Sequence, residues 1–158
     1  RMRIAKLVRK NESVLVMFSG VGIYPLVIAK NSKVKEIYGI ELNPKAHKYA
    51  VENVKLNKAS NVIVIKGDAK KESVKLKKKF DRIVMPLPAS AEDFLDCALA
   101  VAKKNTIIHF YKFQAADEFE NAADEILNKI KNIKMIHIVK CGEYASRVYR
   151  ICIDFKVI

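Results

Sequence analysis

Short apolar runs alternate with helical patterns along this chain, and the alternation limits the folds that it can adopt. The runs typical of strands cover residues 13–17, 36–40, 61–66, 81–85 and 106–111. Apolar residues recur at helical spacing in residues 23–30, 44–57, 90–103 and 119–130. Strands connected through helices lie parallel, and a parallel sheet is covered by helices on both faces. The pattern therefore predicts an α/β fold with a mostly parallel sheet.

The carboxyl-terminal part departs from this alternation. Residues 134–140 and 148–156 both have the composition of strands, and only the short segment CGEYASR separates them. Two strands without a helix between them can pair as an antiparallel hairpin. We therefore expect a seven-stranded sheet with an antiparallel carboxyl-terminal hairpin, in a single domain over residues 1–158.

The composition is that of a folded domain outside a membrane. Hydrophobic residues make up 51% of the 158 residues and charged residues 30%, which is typical of a globular chain and not of a disordered one. No apolar run approaches the roughly 20 residues that a membrane span requires. We therefore expect no membrane association, a cytoplasmic location and a monomer.

The charge of the chain predicts a polyanionic partner. The 30 Lys and Arg residues outnumber the 17 Asp and Glu residues, so the formal net charge is +13. An excess of this kind is typical of proteins that bind nucleic acid. The basic residues concentrate in two segments: Arg1, Arg3, Lys6, Arg9 and Lys10, and then Lys70, Lys71, Lys75, Lys77, Lys78 and Lys79. A solvated surface is the alternative for either segment.

The cysteines do not indicate a metal site. Cys97, Cys141 and Cys152 are an odd number, and neither a CxxC spacing nor histidines at ligand intervals accompany them. The sequence therefore predicts neither a bound metal nor a disulfide framework. Cys97 lies in an apolar helical pattern and is expected to be a buried thiol.

Two glycines follow the first predicted strand, where a ligand would lie in an open α/β sheet. Gly20 and Gly22 are not part of a dinucleotide fingerprint, because Pro25 occupies the position of the third glycine. The Gly-Lys-Ser/Thr of a phosphate-binding loop is also missing. The turn therefore favours close approach of a ligand to the backbone, without a phosphate site.

Two acids follow the next two strands. Glu41 lies 21 residues after Gly20, the interval at which a carboxylate accepts hydrogen bonds from a ribose. Asp68 follows the third strand, where a carboxylate can meet an adenine amino group. Two acids and a glycine turn favour a cationic adenosine ligand, S-adenosylmethionine. Each feature has a structural alternative: a tight turn for the glycines, a helix cap for Glu41 and a turn residue for Asp68.

Six segments of the sequence together resemble the archaeal and eukaryotic family of tRNA (guanine-37-N1)-methyltransferases. They are VLVMFSGVGIYP, YGIELNPKAHKYAVENVKLN, VIKGDAK, DRIVMPLPASAEDFLDCAL, IIHFYKF and YASRVYRICIDF. The resemblance covers nearly the whole chain. It implies the Rossmann-like class I fold of enzymes that use S-adenosylmethionine.

The resemblance also implies which residues hold the cofactor and face the acceptor. Those expected at the cofactor are Phe18, Gly20 and Gly22 on the methionine part, Glu41, Leu42 and Asn43 on the ribose, Asp68 and Ala69 on the adenine, and Pro86 beside the methyl group. Those expected near the target base are Pro86, Leu87, Pro88 and Arg147. The general base stays unassigned, because the matching enzymes carry their candidate groups just before the point where this chain begins.

Two residues depart from the family pattern. Val16 stands where the family commonly has Asp, and Pro86 where it commonly has Asn before Leu-Pro. Proline offers no side-chain hydrogen bond, so Pro86 cannot orient a base as Asn would. Base binding is therefore expected to differ from the family pattern in detail.

The expected activity is methyl transfer to N1 of guanosine 37 in the anticodon stem-loop of tRNA. Since the chain begins with Arg and the family usually carries an amino-terminal tRNA-recognising domain, we expect a catalytic fragment. Aminocarboxypropyl or methyl transfer to a wyosine precursor at the same position is one alternative, and an inactive basic RNA-binding module is another. Candidate stacking partners for RNA bases are Tyr24, Tyr111, Phe113 and Tyr144, with core packing as the alternative for each. His109 is expected to be a core histidine.

Overall fold

The computed structural model describes residues 1–86, 89, 91–119 and 121–158, which form a seven-stranded sheet. The strands are β1 (Ser13–Met17), β2 (Glu36–Glu41), β3 (Val62–Lys66), β4 (Phe80–Met85), β5 (Ala102–Ala115), β6 (Ile133–Ala145) and β7 (Val148–Val157). Their order is β3-β2-β1-β4-β5-β7-β6. The first five strands pair in parallel, and β7 pairs antiparallel with both β5 and β6. The predicted fold class is confirmed.

Helices cover both faces of the sheet. They are α1 (Met2–Leu7), α2 (Ile23–Asn31), α3 (Pro44–Leu56), α4 (Ala69–Lys75), α5 (Leu95–Ala100) and α6 (Asn121–Lys129), with 3-10 turns at Ala91–Phe94 and Ala116–Glu118. The first three helices pack on one apolar cluster and the last three on another. All five residues of the central strand β1 are buried, because helices lie above and below it. None of the described helices is long and apolar enough to cross a membrane.

Local sequence signals explain where two of the helices begin. The Asn43 side chain accepts hydrogen bonds from the Lys45 and Ala46 amides at 2.9 and 3.3 Å, and Pro44 occupies the first turn of α3. Asp68 accepts from the Lys70 amide at 2.7 Å and caps α4 in the same way. Both side chains satisfy amides that have no partner inside the helix.

Several element boundaries differ from those predicted. The helix predicted over 90–103 ends at Ala100, and β5 begins two residues later. The first five residues of the predicted loop CGEYASR instead continue β6 to Ala145, which leaves a turn at Ser146 and Arg147 before β7. The short helices α1 and α4 were not predicted. Cys97, expected to be buried, packs against the core but is only partly buried, and this burial raises the pKa of its thiol.

A buried arginine connects the elements of one face. Arg82 of β4 is 1% exposed and donates to both carboxylate oxygens of Glu12, at 2.7 and 3.0 Å, and to the Leu7 carbonyl at 2.7 Å. Its Nη1 lies 2.7 Å from Nε2 of His109. An arginine can only donate, so His109 accepts at Nε2 and carries its proton on Nδ1.

The network continues from His109 to the first helix. Nδ1 of His109 lies 2.6 Å from Oδ1 of Asp154, and Asp154 accepts from Arg3 at 2.5 and 3.1 Å. Burial lowers the pKa of His109, so the ring is neutral. Burial opposes ionisation of Asp154, but hydrogen bonds from His109 and Arg3 outweigh it and hold its pKa below the usual value. The expectation of a core histidine is confirmed.

Replacement of Arg82 tests how much this network contributes to the stability of the fold. Arg82→Met leaves Glu12 without its cationic partner, and we expect the free energy of unfolding to fall by about 3–5 kcal/mol. Lys103→Met is the matched control, because Lys103 pairs with the neighbouring Asp81 and is half exposed, so its loss should cost less than about 1 kcal/mol. Urea unfolding of both variants measures the difference, and equal losses would contradict a special role for Arg82.

Candidate active site

The loops that follow β1, β2, β3 and β4 meet at the carboxyl edge of the sheet, because these strands are parallel. A cavity of about 350 Å³ lies among them. It is lined by Phe18, Glu41, Leu42, Gly67, Asp68, Ala69, Pro86 and Phe94. We call it the rim cavity. Six of the nine residues expected at a cofactor line it.

The other three residues lie directly behind this lining. Gly20 and Asn43 are hydrogen-bonded to Glu41, and Gly22 is the residue before α2. Gly20 and Gly22 both have a positive φ, +58° and +87°. A Cβ on Gly22 would lie 3.4 Å from the Cβ of Ala50, whereas none of the described residues would contact a Cβ on Gly20. The turn is therefore tight at Gly22 and open at Gly20.

Glu41 connects two of the loops. Its Oε2 accepts a hydrogen bond from the Gly20 amide at 2.7 Å, and its Oε1 accepts from the Asn43 amide at 2.8 Å. The carboxylate thus holds the glycine turn against the start of α3. Each carboxylate oxygen can accept a second bond, so Glu41 can also receive a ribose hydroxyl.

The rim cavity has aromatic walls. The rings of Phe18 and Phe94 pack edge to face with centroids 4.7 Å apart, and Nζ of Lys70 lies 4.8 Å from the centre of the Phe94 ring. Phe94 and Gly67 were missed by sequence reasoning. Phe94 has the helical spacing of a core residue, and only the position of Gly67 beside Asp68 could have indicated it.

A second cavity, of about 330 Å³, shares Pro86 with the rim cavity. It is lined by Arg1, Arg3, Tyr24, Pro86, Tyr111, Val139, Lys140, Cys141 and Arg150. We call it the basic cavity. The rings of Tyr24 and Tyr111 pack against each other at 6.1 Å, and the Arg1 guanidinium lies 5.6 Å from the centre of the Tyr24 ring. Four cations and two aromatic rings surround a space that opens beside Pro86.

The remaining predicted residues lie elsewhere. Arg147 is exposed in the turn between β6 and β7 and does not belong to the lining of either cavity. Phe113 and Tyr144 contact each other, with ring centroids 4.0 Å apart. Val16 is buried within β1. Leu87 and Pro88 lie outside the described residues.

A further cavity, of about 690 Å³, is lined in part by Arg82 and His109 of the buried network and shares no lining residue with the rim cavity. The candidate site is the rim cavity, because it is built by the loops after four parallel strands, where ligands bind in other open α/β sheets. Sheet order, glycine turn and paired acids define the class of this chain, a class I methyltransferase domain.

Residues 1–143 match the family model described as the TRM5/TYW2 methyltransferase domain. The chain is 35% identical over 162 residues to tRNA (guanine(37)-N(1))-methyltransferase Trm5b of Pyrococcus abyssi, a match that covers 99% of this chain and 47% of that protein. It is also 35% identical over 161 residues to the tRNA(Phe) (4-demethylwyosine(37)-C(7)) aminocarboxypropyltransferase of Methanocaldococcus jannaschii, covering 99% and 64%. The chain belongs to the TRM5/TYW2 family.

A solved structure supports the same assignment. The crystal structure of M. jannaschii TYW2 in complex with AdoMet superposes with a TM-score of 0.87 at 33% identity, over 99% of this chain and 74% of that one. The chain spans 47% and 64% of the length of the two curated relatives. The family is therefore shown for this domain, and the reaction is argued separately below.

Replacement of Glu41 tests its contacts between the loops. The amide of Glu41→Gln has one acceptor oxygen instead of two, so the Gly20 or the Asn43 N–H loses its partner. We expect faster amide hydrogen exchange there and a free energy of unfolding lower by about 1–3 kcal/mol. Glu52→Gln, at an exposed position of α3, is the control. Unchanged exchange at both amides would show that Glu41 does not connect the loops.

Proposed function

We propose that this domain binds S-adenosylmethionine in the rim cavity and transfers its methyl group to N1 of guanosine 37 of tRNA. The observation that carries the proposal is the contact of two unlike cavities at Pro86. One has aromatic walls and two acids, as a cationic nucleoside requires, and the other has four cations and two aromatic rings, as an RNA nucleotide requires.

The cofactor roles follow the order of the loops. Phe18 and the turn at Gly20 and Gly22 would contact the methionine part, since the backbone at Gly20 is open. Glu41 would accept a ribose hydroxyl, with Leu42 and Asn43 next to it. Asp68 and Ala69 would meet the adenine beside the packed rings of Phe18 and Phe94, with Pro86 next to the sulfonium methyl group.

The acceptor roles follow from charge and from aromatic faces. A base in the anticodon loop must leave its stack to reach a pocket, and an aromatic side chain such as Tyr24 can then stack on it. Arg1, Lys140 and Arg150 supply positive charge for the adjoining phosphates. Most of the rate would come from in-line positioning of N1 against the methyl group. Pro86, Leu87, Pro88 and Arg147 stay candidates near the base, and the general base is unassigned.

The net charge of +13 supports an RNA partner, the anticodon stem-loop. As the catalytic domain of such an enzyme, residues 1–158 would act in the cytoplasm as a monomer, and further tRNA contacts would come from a separate part of the longer protein. The longer curated relatives support a catalytic role for the matched region.

A second reaction of the same cofactor is the main rival. The relative that transfers an aminocarboxypropyl group is as similar as the methyltransferase, at 35% identity. Both transfers need the same nucleoside site and differ in which carbon next to the sulfonium faces the acceptor. Pro86 cannot make the side-chain hydrogen bond that is expected of a guanine-specific loop. This difference supports aminocarboxypropyl transfer as the second candidate reaction.

Replacement of Asp68 tests the cofactor site without loss of the helix cap. Asparagine caps a helix as well as aspartate does, so the thermal unfolding of Asp68→Asn should be unchanged. Its one oxygen stays with the Lys70 amide, and its NH₂ group would face the adenine amino group, donor against donor. We expect calorimetry to show that S-adenosylmethionine binds about tenfold more weakly.

The control for this measurement is Asp96→Asn, which changes an exposed acid of α5 and should leave the affinity unchanged. Equal affinities of Asp68→Asn and the unchanged protein would contradict the adenine role. Failure of the unchanged protein to bind the cofactor would support the alternative of an inactive RNA-binding module.

Mass spectrometry of position 37 tests the reaction itself. With S-adenosylmethionine and a tRNA transcript that carries guanosine 37, we expect the nucleoside to gain one methyl group on N1. A transcript with adenosine at position 37 is the matched control and should gain nothing. Transfer of the larger aminocarboxypropyl group to tRNA that carries 4-demethylwyosine, without methylation of guanosine, would decide for the rival.

A further inference from the structure

Two cysteines lie side by side on the wall of the basic cavity. Cys152 of β7 pairs with Val139 of β6, and Cys141 follows two residues later, so both side chains are on the same face of the sheet. Cys152 is fully buried, whereas Cys141 is partly exposed and lines the cavity. One thiol is therefore accessible from the cavity, and the other lies behind it.

Cys141 packs against the apolar cluster that contains Cys152, and the surroundings of the two thiols make them unequal. The hydrogen bond from Cys152 lowers the pKa of Cys141 to about 6, and the positive charges of Arg3 and Arg150 act in the same direction. Burial raises the pKa of Cys152. At neutral pH the pair is a thiolate in front of a protonated thiol, the arrangement found in reactive cysteine pairs.

The groups that face Cys141 come from every neighbouring element. They are Arg1 and Arg3 on α1, Tyr24 on α2, Tyr111 on β5, Lys140 on β6 and Arg150 on β7. The described residues that line the cavity include four cations and no carboxylate, and Asp154, which is hydrogen-bonded to Cys152, is engaged by Arg3 and His109. The cavity wall is thus positive, and it favours the thiolate.

We propose that Cys141 is a site of oxidative modification, at which a hydroperoxide entering the basic cavity converts the Cys141–Cys152 pair into a disulfide. The Cys141 thiolate attacks the peroxide oxygen, giving a sulfenic acid and releasing hydroxide or alkoxide. The Cys152 thiol then attacks the sulfenic sulfur and the disulfide forms with loss of water. The pair loses two electrons, and the peroxide gains them.

The local backbone suits this bond. The register of β6 against β7 shifts between Lys140 and Glu143, so Cys141 lies in a bulge that is not held by a continuous ladder of hydrogen bonds. A disulfide needs the two sulfurs to approach to about 2.05 Å, and the bulge can supply the backbone movement that this requires. The two strands that carry the cysteines are connected by the tight turn at Ser146 and Arg147.

A metal ion at the same place is less favoured. His109, Cys152 and Asp154 lie close enough to share an ion. However, Arg82 donates to the free nitrogen of His109, and Arg3 donates to both oxygens of Asp154. Two guanidinium groups therefore occupy the positions from which a cation would be coordinated.

Oxidation would change the basic cavity and leave the rim cavity unchanged. A disulfide removes the negative charge of Cys141 and draws its sulfur towards the interior, which alters the basic cavity. The rim cavity has no cysteine in its lining. The modification itself does not depend on the proposed reaction, so it can be tested on the purified protein.

The test uses the tryptic cleavage sites that flank both cysteines. After treatment with hydrogen peroxide, trypsin should release CGEYASR (141–147) linked to ICIDFK (151–156), with a mass two hydrogens below the sum of the free peptides. Cys97, whose pKa burial raises, should stay reduced. Cys152→Ser should give a sulfenic acid on Cys141 that dimedone traps, and Cys141→Ser should abolish the link.

A second measurement tests whether Cys141 is a reactive thiolate. We expect iodoacetamide to alkylate Cys141 about tenfold faster than Cys97 at pH 7, with a rate that rises through about pH 6 and is then level. The Cys97 rate should still be rising at pH 8. Absence of the linked peptides from the peroxide-treated protein, or a Cys141 rate that follows that of Cys97, would overturn the proposal.

Discussion

A guanidinium buried inside the sheet determines where the first helix lies, and through it the shape of the basic cavity. Arg82 cannot release its charge or accept a hydrogen bond, so the fold must surround it with acceptors. It finds them in Glu12, in the Leu7 carbonyl at the end of α1 and in His109. His109 then orients Asp154, which holds Arg3 at the basic cavity. Buried ion pairs add little net stability but fix geometry, and here they fix α1.

The rim cavity depends on the direction of the strands. Four parallel strands end at one edge, so residues far apart in sequence meet there without any further device. The Glu41 carboxylate then joins two of the loops through backbone amides. The helix cap that was the structural alternative for Glu41 is supplied by Asn43 instead, and Glu41 joins the loops. Asp68, for which a turn residue was the alternative, lines the rim cavity and caps α4.

The alternation of strands and helices was enough to predict the sheet, its antiparallel end and the loops that carry the motifs. Signals within a few residues, such as Asn43 before Pro44, account for where α3 begins. Helices α1 and α4 were missed because six or seven residues are too few to show a repeat. The basic cavity was missed because it joins Arg1, Tyr24 and Arg150, and only the insertion of β7 between β5 and β6 brings them together. No local pattern carries that information.

The position of Pro86 between the two cavities limits how the proposed site would orient a base. Proline has neither a backbone N–H nor a polar side chain, so the residue at the boundary of the two cavities offers a ligand only its ring and its carbonyl. Orientation of an acceptor must then come from the opposite wall, where Arg1, Arg3, Lys140 and Arg150 bear charge and Tyr24 offers a face for stacking. Charges and stacking distinguish bases less sharply than paired hydrogen bonds do. Under the proposed function, a site built in this way would recognise the anion and the ring first, which fits the equal similarity of this chain to relatives named for two different transfers.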